Sequence, residues 1–168
     1  MANQFFRLLL KRTSLVLSFF IAAVIISACS TGALAPGLVA RMDKPGAILD
    51  RAEALNIINQ YRATRGAPLL SQDANLNSSA EALAKRYSIN GTPPAKPGGG
   101  IVQIRFSAGY ANFAETFSGW RNRQSDADAI ADPRAVRAGL AVVYSANSAY
   151  GTHWVLLLGG PTGSSEAK

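Results

Sequence analysis

The chain carries one cysteine, Cys29, and one histidine, His153, in 168 residues. A single cysteine leaves nothing to pair with in an internal disulfide. A single histidine argues against an imidazole-based metal centre, which normally needs at least two histidines or added thiolates. Charge is also sparse, at 16% of residues. It is scattered, with no Lys/Arg run and no aromatics set among basic residues, so no nucleic-acid face is expected. No apolar run reaches the ~20 residues that cross a bilayer as a helix. Neither a G-x-S-x-G elbow nor an H-E-x-x-H pair is present, and no internal repeat is visible. What the chain does have is 48% apolar residues, a globular rather than a disordered composition.

The N-terminus has the pattern of an export signal. Residues 1–12 hold only positive charge (Arg7, Lys11, Arg12), and an apolar stretch of 16 residues runs from Ser14 to Cys29. Its end, Ile26-Ser27-Ala28-Cys29, resembles a lipobox, the site where lipoprotein signal peptidase cuts before a diacylated cysteine. An aliphatic residue, two small residues and then cysteine all match. Lipidation would also account for a lone thiol in an oxidising envelope, where a free one is a liability. The expectation is a signal peptide over 1–28 and a membrane anchor through the Cys29 lipid; two or three acyl chains hold a protein firmly to a bilayer. Ser30 follows where an Asp would retain a Gram-negative lipoprotein in the inner membrane, so the periplasmic face of the outer membrane is the expected location. Three of the 17 basic residues lie in the leader and all ten acidic ones lie beyond it, so the mature 140 residues carry a net charge of +4. That length suffices for one domain with a real core.

Residues 29–47 hold two prolines and three glycines without periodicity and are expected to form the lipidated Cys and a tether. A helix is predicted over about 48–64, where Ala54, Ile57, Ile58 and Tyr61 make one apolar stripe and Gly66 is a stop. A second, over about 73–88, repeats that spacing with Ala80, Leu83, Ala84 and Tyr87. The loop 90–100 ends in three glycines that run into a strand at Ile101–Phe106. A phosphate-cradling loop would open a helix instead, so nucleotide binding is not expected; no cofactor is expected from the rest of the chain. A third helix starts at Asn112, with Glu115 three residues on as a variant capping box and Phe113, Phe117 and Trp120 on its buried face. Strands at about 138–145 and 152–158 close the domain, which spans 48–160, before a tail at 161–168. The last strand is apolar on both faces, which implies layers above and below the sheet.

Several stretches resemble bacterial CAP (SCP-like) domains. Leu55-Asn56-Ile57-Ile58-Asn59-Gln60-Tyr61-Arg62-Ala63-Thr64-Arg65-Gly66 looks like the family's "LN-x-x-R-x-x-x-G" opening. Pro68-Leu69-Leu70-Ser71-Gln72-Asp73-Ala74-Asn75-Leu76 matches "PPL-x-x-D-x-x-L", and Gly119-Trp120-Arg121-Asn122 matches "GW-x-N/S". Asp132 to Val142 resembles "P-x-x-T-R-V-G-I-G-V", and Tyr150 to Gly159 resembles the terminal "Y-W-x-x-x-x-G" strand. Together they cover about residues 50–160 in the right order. The resemblance implies an α+β fold, a three-layer α/β/α sandwich with a small, mostly antiparallel sheet.

It also implies a cavity, which in some members holds a metal between two histidines and acidic residues. Here Leu83 stands where members have one histidine, and Asp126 stands six residues after Trp120 where they have the other. Gln103-Ile104-Arg105 offers no carboxylate near the expected glutamate. No metal site is therefore expected, and the remaining candidates for a degenerate cavity are Leu83, Glu115, Asp126 and His153. Each has a plainer reading: Glu115 as a helix cap, His153 as a core residue, and Asp126 with Asp128 as solvated charges near Arg121 and Arg123. The expected function is a non-catalytic envelope module that binds a lipid-like ligand, peptidoglycan or an envelope protein. The alternatives are an envelope hydrolase using Asp126, Glu115 and His153 in one cleft, or a purely structural lipoprotein.

Overall fold

A computed structural model describes residues 34–162. The expected signal peptide over 1–28, the lipobox-like residues Ile26, Ser27, Ala28 and Cys29, and the tail from 163 lie outside the described residues.

The first described segment is not a tether. Its one-turn helix α1 (Pro36–Val39) places Leu38 in the core, and Met42 and Leu49 follow it there. The Met42 N–H donates to the Ala111 carbonyl at 2.7 Å, which ties the segment to the body of the domain. Prolines and glycines conceal this in the sequence, because they break the periodicity that would mark three apolar residues as sharing a side. The domain therefore begins by Leu34 rather than at 48.

Helix α2 (Arg51–Thr64) starts at Asp50, whose side chain accepts from the Glu53 N–H, and buries Ala54, Ile58 and Arg62. Gly66, at φ 67°, takes the left-handed conformation that lets the chain turn away. After the two-residue strand β1 (Ser71–Gln72), Asp73 caps helix α3 (Ala74–Asn90) by accepting from the Asn75 and Leu76 N–H groups. The stripe Ala80, Leu83, Ala84 and Tyr87 is buried, as its spacing predicts.

Strand β2 (Ile101–Ala108) leads to helix α4 (Phe113–Arg121). The Asn112 side chain accepts from the Glu115 N–H at 2.9 Å, and the Glu115 carboxylate accepts from the Ala111 N–H at 3.1 Å. Phe113, Phe117 and Trp120 are buried. Trp120 donates its indole N–H to the Phe106 carbonyl at 3.0 Å, fastening α4 to the sheet. A short helix α5 (Gln124–Ile130), which the sequence reading does not separate from its surroundings, precedes strands β3 (Arg137–Tyr144) and β4 (Thr152–Gly159).

The strand order is β1-β3-β4-β2, with β1 parallel to β3 and the other two pairs antiparallel. Every residue of β4 is buried. Alternation along it sends Val155 and Leu157 into a cluster with Ala80, Leu83 and Ala84 of α3. Trp154, Leu156 and Leu158 go to the other face, into the core built with α1, α2, α4 and α5. The molecule is thus an α+β sandwich of helix, sheet and helices, with the sheet mostly antiparallel.

Candidate functional site

The sheet divides the four candidate cavity residues into two pairs. On the α3 side are Leu83 and His153. Leu83 is buried in the apolar cluster between α3 and the sheet. His153, on β4, lies opposite Ala108 and Val143, and its ring meets Tyr87 of α3 edge-on at 4.8 Å, with Tyr150 at 6.3 Å. The imidazole has no exposed surface, and neither ring nitrogen has a hydrogen-bond partner among the described residues. Burial lowers its pKa below the ordinary 6.5, so the ring is neutral at pH 7. The family's metal does not fit here. Leu83 offers no donor, the histidine is flanked by phenol rings, and among the described residues no three metal-capable side chains come together.

On the other side are Glu115 and Asp126, in different roles. Glu115 is occupied at the start of α4, holding the Ala111 N–H. Asp126 is not a solvated surface charge. Its side chain is only 13% exposed and is gripped by Arg105 of β2 at 3.1 Å and by Arg123 at 3.3 Å. Arg123 is one of the local partners the sequence suggests; Arg105, 21 residues away, is not. Asp128 is the exposed one, paired with Arg65 at 3.0 Å.

The segment that offers no carboxylate supplies the rest of this network. Arg105 donates to the Gln103 side-chain oxygen at 2.9 Å, and Gln103 donates to Asp132 at 2.8 Å. Asp132 in turn receives two side-chain bonds from Arg134, at 2.6 and 3.0 Å, which hold its carboxyl well below the usual range. The network borders an open, shallow cleft of about 510 Å³ lined by Gln103, Arg105, Asp128, Asp132, Pro133 and Arg134, among others. The carboxylates facing it are neutralised by arginines. The chain's one imidazole lies across the sheet, so Asp126, Glu115 and His153 do not share a cleft.

Sequence reasoning also missed Arg62, which has no exposed surface. It donates to the carbonyls of Pro68 at 2.8 Å, Asp132 at 3.2 Å and Ala135 at 2.8 Å, and also to that of Ile130. Beside it Asn59 exchanges two hydrogen bonds with the Leu70 backbone, at 3.0 and 2.8 Å. Asn59, Arg62 and Gly66 carry the spacing of the "N-x-x-R-x-x-x-G" opening, so the motif is a clamp that fixes the end of α2 to the loop before β3.

Among the described residues no helix is long and apolar enough to cross a membrane. No curated protein matches the chain. Solved structures do, at the level of fold. The protein MpPR-1i is 17% identical, with a TM-score of 0.54 over 64% of this chain and 88% of that one. An outer surface protein from Borrelia burgdorferi is 18% identical, with a TM-score of 0.50 over 67% and 93%. An extracellular SCP-domain protein from Bacillus anthracis is 14% identical, with a TM-score of 0.53 over 66% of this chain and 40% of that one. The sequence profile of the cysteine-rich secretory protein family matches residues 55–158, the span from the Arg62 clamp through the buried β4 strand, and the chain belongs to that family, CAP.

Proposed function

We propose that this protein is a lipid-anchored envelope lipoprotein whose CAP domain binds a ligand or partner and does not catalyse a reaction. The observation that carries the non-catalytic part is the separation of His153 from Asp126 and Glu115 by the sheet. General acid–base chemistry needs its groups within hydrogen-bond reach of one reacting centre. Here the single histidine is buried among aromatic rings, while the carboxylates serve as an ion-pair strut and a helix cap. The lipobox Ile26-Ser27-Ala28-Cys29 supports the anchor, and a Borrelia outer surface protein of the same fold agrees with an envelope setting.

Native mass spectrometry of residues 30–168, recovered from a lysate of the source bacterium, tests the binding role. A mass above the polypeptide that vanishes on denaturation identifies a bound small molecule. The bare polypeptide mass turns the search to peptidoglycan and envelope proteins. Hydrolysis of cell-wall or peptide material that is lost in both Asp126→Asn and His153→Phe would overturn the non-catalytic reading.

A further inference from the structure

Three large apolar side chains near the start of the described chain face solvent: Leu34 at 53% exposed, Val39 at 44% and Ile48 at 86%. They alternate along the chain with Leu38, Met42 and Leu49, which are in the core, so the segment is pinned to the domain while these three side chains stay exposed. Two close approaches hold it in place. One is the Met42–Ala111 hydrogen bond. The other is the contact of α1 with the start of α2, where a Cβ on Gly37 would meet the Asp50 Cβ at 2.8 Å, two residues from Ile48. Pro36, Lys44 and Pro45 of this segment are also exposed, and Arg41 is paired with Asp43. Among the described residues the other exposed large hydrophobics, Leu69, Ile89 and Tyr150, belong to separate parts of the chain, and isolated apolar residues of that kind are ordinary on a protein surface.

Cys29 precedes Leu34 by five residues, a span of at most ~18 Å however the chain runs. A lipid at that cysteine would bring this side of the domain to the membrane surface. We infer that Leu34, Val39 and Ile48, flanked by Lys44, seat the domain on the lipid bilayer beside the Cys29 anchor; the inference rests on the lipoprotein reading above. The chemistry fits that occupant. Leucine, valine and isoleucine enter the boundary between headgroups and acyl chains, and the Lys44 ammonium beside them meets an anionic headgroup. The segment then acts as a seat that fixes the domain's orientation rather than as a flexible leash.

The test uses the full chain, processed by a bacterial host and reconstituted into vesicles of phosphatidylethanolamine and phosphatidylglycerol. In the lipidated protein the Cys29 sulfur is blocked, so a cysteine introduced elsewhere is the sole reactive thiol. Val39→Cys, Ile48→Cys and a control, Ser78→Cys on α3 across the sheet, each carry an environment-sensitive fluorophore. The Val39 and Ile48 probes should shift to the blue, and a nitroxide carried on the lipid should quench them at least about twofold more than the Ser78 probe. Equal quenching of all three would overturn the seat while leaving the anchor intact. Shielding at Val39 and Ile48 in native membranes but not on protein-free vesicles would also overturn it, in favour of a protein on this face. A Cys29 thiol that reacts with the label in the otherwise unchanged chain, with no protein held on the vesicles, would remove the anchor and the seat together.

Discussion

Gly139 on β3 lies directly beneath the backbone of Leu76 on α3, so that a Cβ added to the glycine would stand 2.1 Å from the Leu76 carbonyl carbon. No side chain can move aside there, because the obstacle is main chain. Nearby, Asn77 accepts the Leu140 N–H at 3.0 Å, and Arg137 pairs with Asp73 at 2.6 Å. Helix and strand are held backbone to backbone at this point.

Gly139→Ala should therefore force α3 off the sheet. Overpacking of a well-packed core costs about 1–3 kcal/mol and occasionally more. With backbone as the obstacle the upper end applies, and thermal unfolding should shift down by roughly 10 °C. Circular dichroism melts of the two forms measure it. An unchanged midpoint would mean that α3 does not rest on β3 in this way.

Arg62 makes a second case in which one residue holds distant parts together. Replacing it with alanine leaves four buried carbonyls without their donor, and each orphaned group costs about 1–3 kcal/mol. A loss of about 4 kcal/mol is expected, at the extreme end for a single substitution. Arg62→Lys should rescue little, since an ammonium on one stem cannot span acceptors that a planar fork reaches together. Urea titrations of the two variants would decide. Rescue by lysine would show that charge, and not the geometry of the fork, is what the site requires.

Much of the architecture could be read from spacing, because it rests on local repeats. Ala80, Leu83, Ala84 and Tyr87 form one buried stripe, and Asn112 with Glu115 marks the start of a helix. The doubly apolar run 152–158 gives away the central strand. What could not be read depends on contacts between distant residues. Arg62 looks like any exposed helical arginine until its carbonyl partners are assembled around it. Asp126 invites pairing with Arg121 and Arg123 nearby, whereas the Arg105 that buries it comes from a strand 21 residues earlier. Strand β1 has two residues and no periodicity to detect. Leu38 and Met42 are hidden by the prolines and glycines around them. The candidate cavity suffered most, since the motif spacing gives each residue's element but not the face of the sheet on which it ends.

Burial of His153 gives stability a dependence on pH. Its folded pKa is lowered, so below about 6.5 the unfolded chain takes up a proton that the folded protein resists. Stability should be full above that value and fall as the pH drops from about 6.5 towards the folded pKa. The chain has no other histidine, and the lowered carboxyls of Asp73 and Asp132 add their own losses only below about 4. Urea midpoints between pH 7.5 and 5.5 should thus decline in the natural chain and stay flat in His153→Phe. A decline that persists in the variant would assign it to another group.

The opposite placement of His153 and Asp126 makes a prediction about coupling. Residues that share a contact interact non-additively when both are changed, by about 0.5–3 kcal/mol, whereas residues without shared partners add. Asp126 and Arg105 touch at 3.1 Å with little exposure, 13% and 22% of their side chains. Removing Asp126 alone leaves a poorly solvated guanidinium whose Nε already lacks a partner among the described residues. Asp126→Asn and Arg105→Gln should each destabilise by about 1–2 kcal/mol, and the double variant by clearly less than their sum. Asp126→Asn combined with His153→Phe should give the plain sum. A substantial interaction energy in that second cycle would mean that the two communicate through the sheet. It would also reopen a shared site, which the ion-pair strut and the aromatic burial of the histidine otherwise argue against.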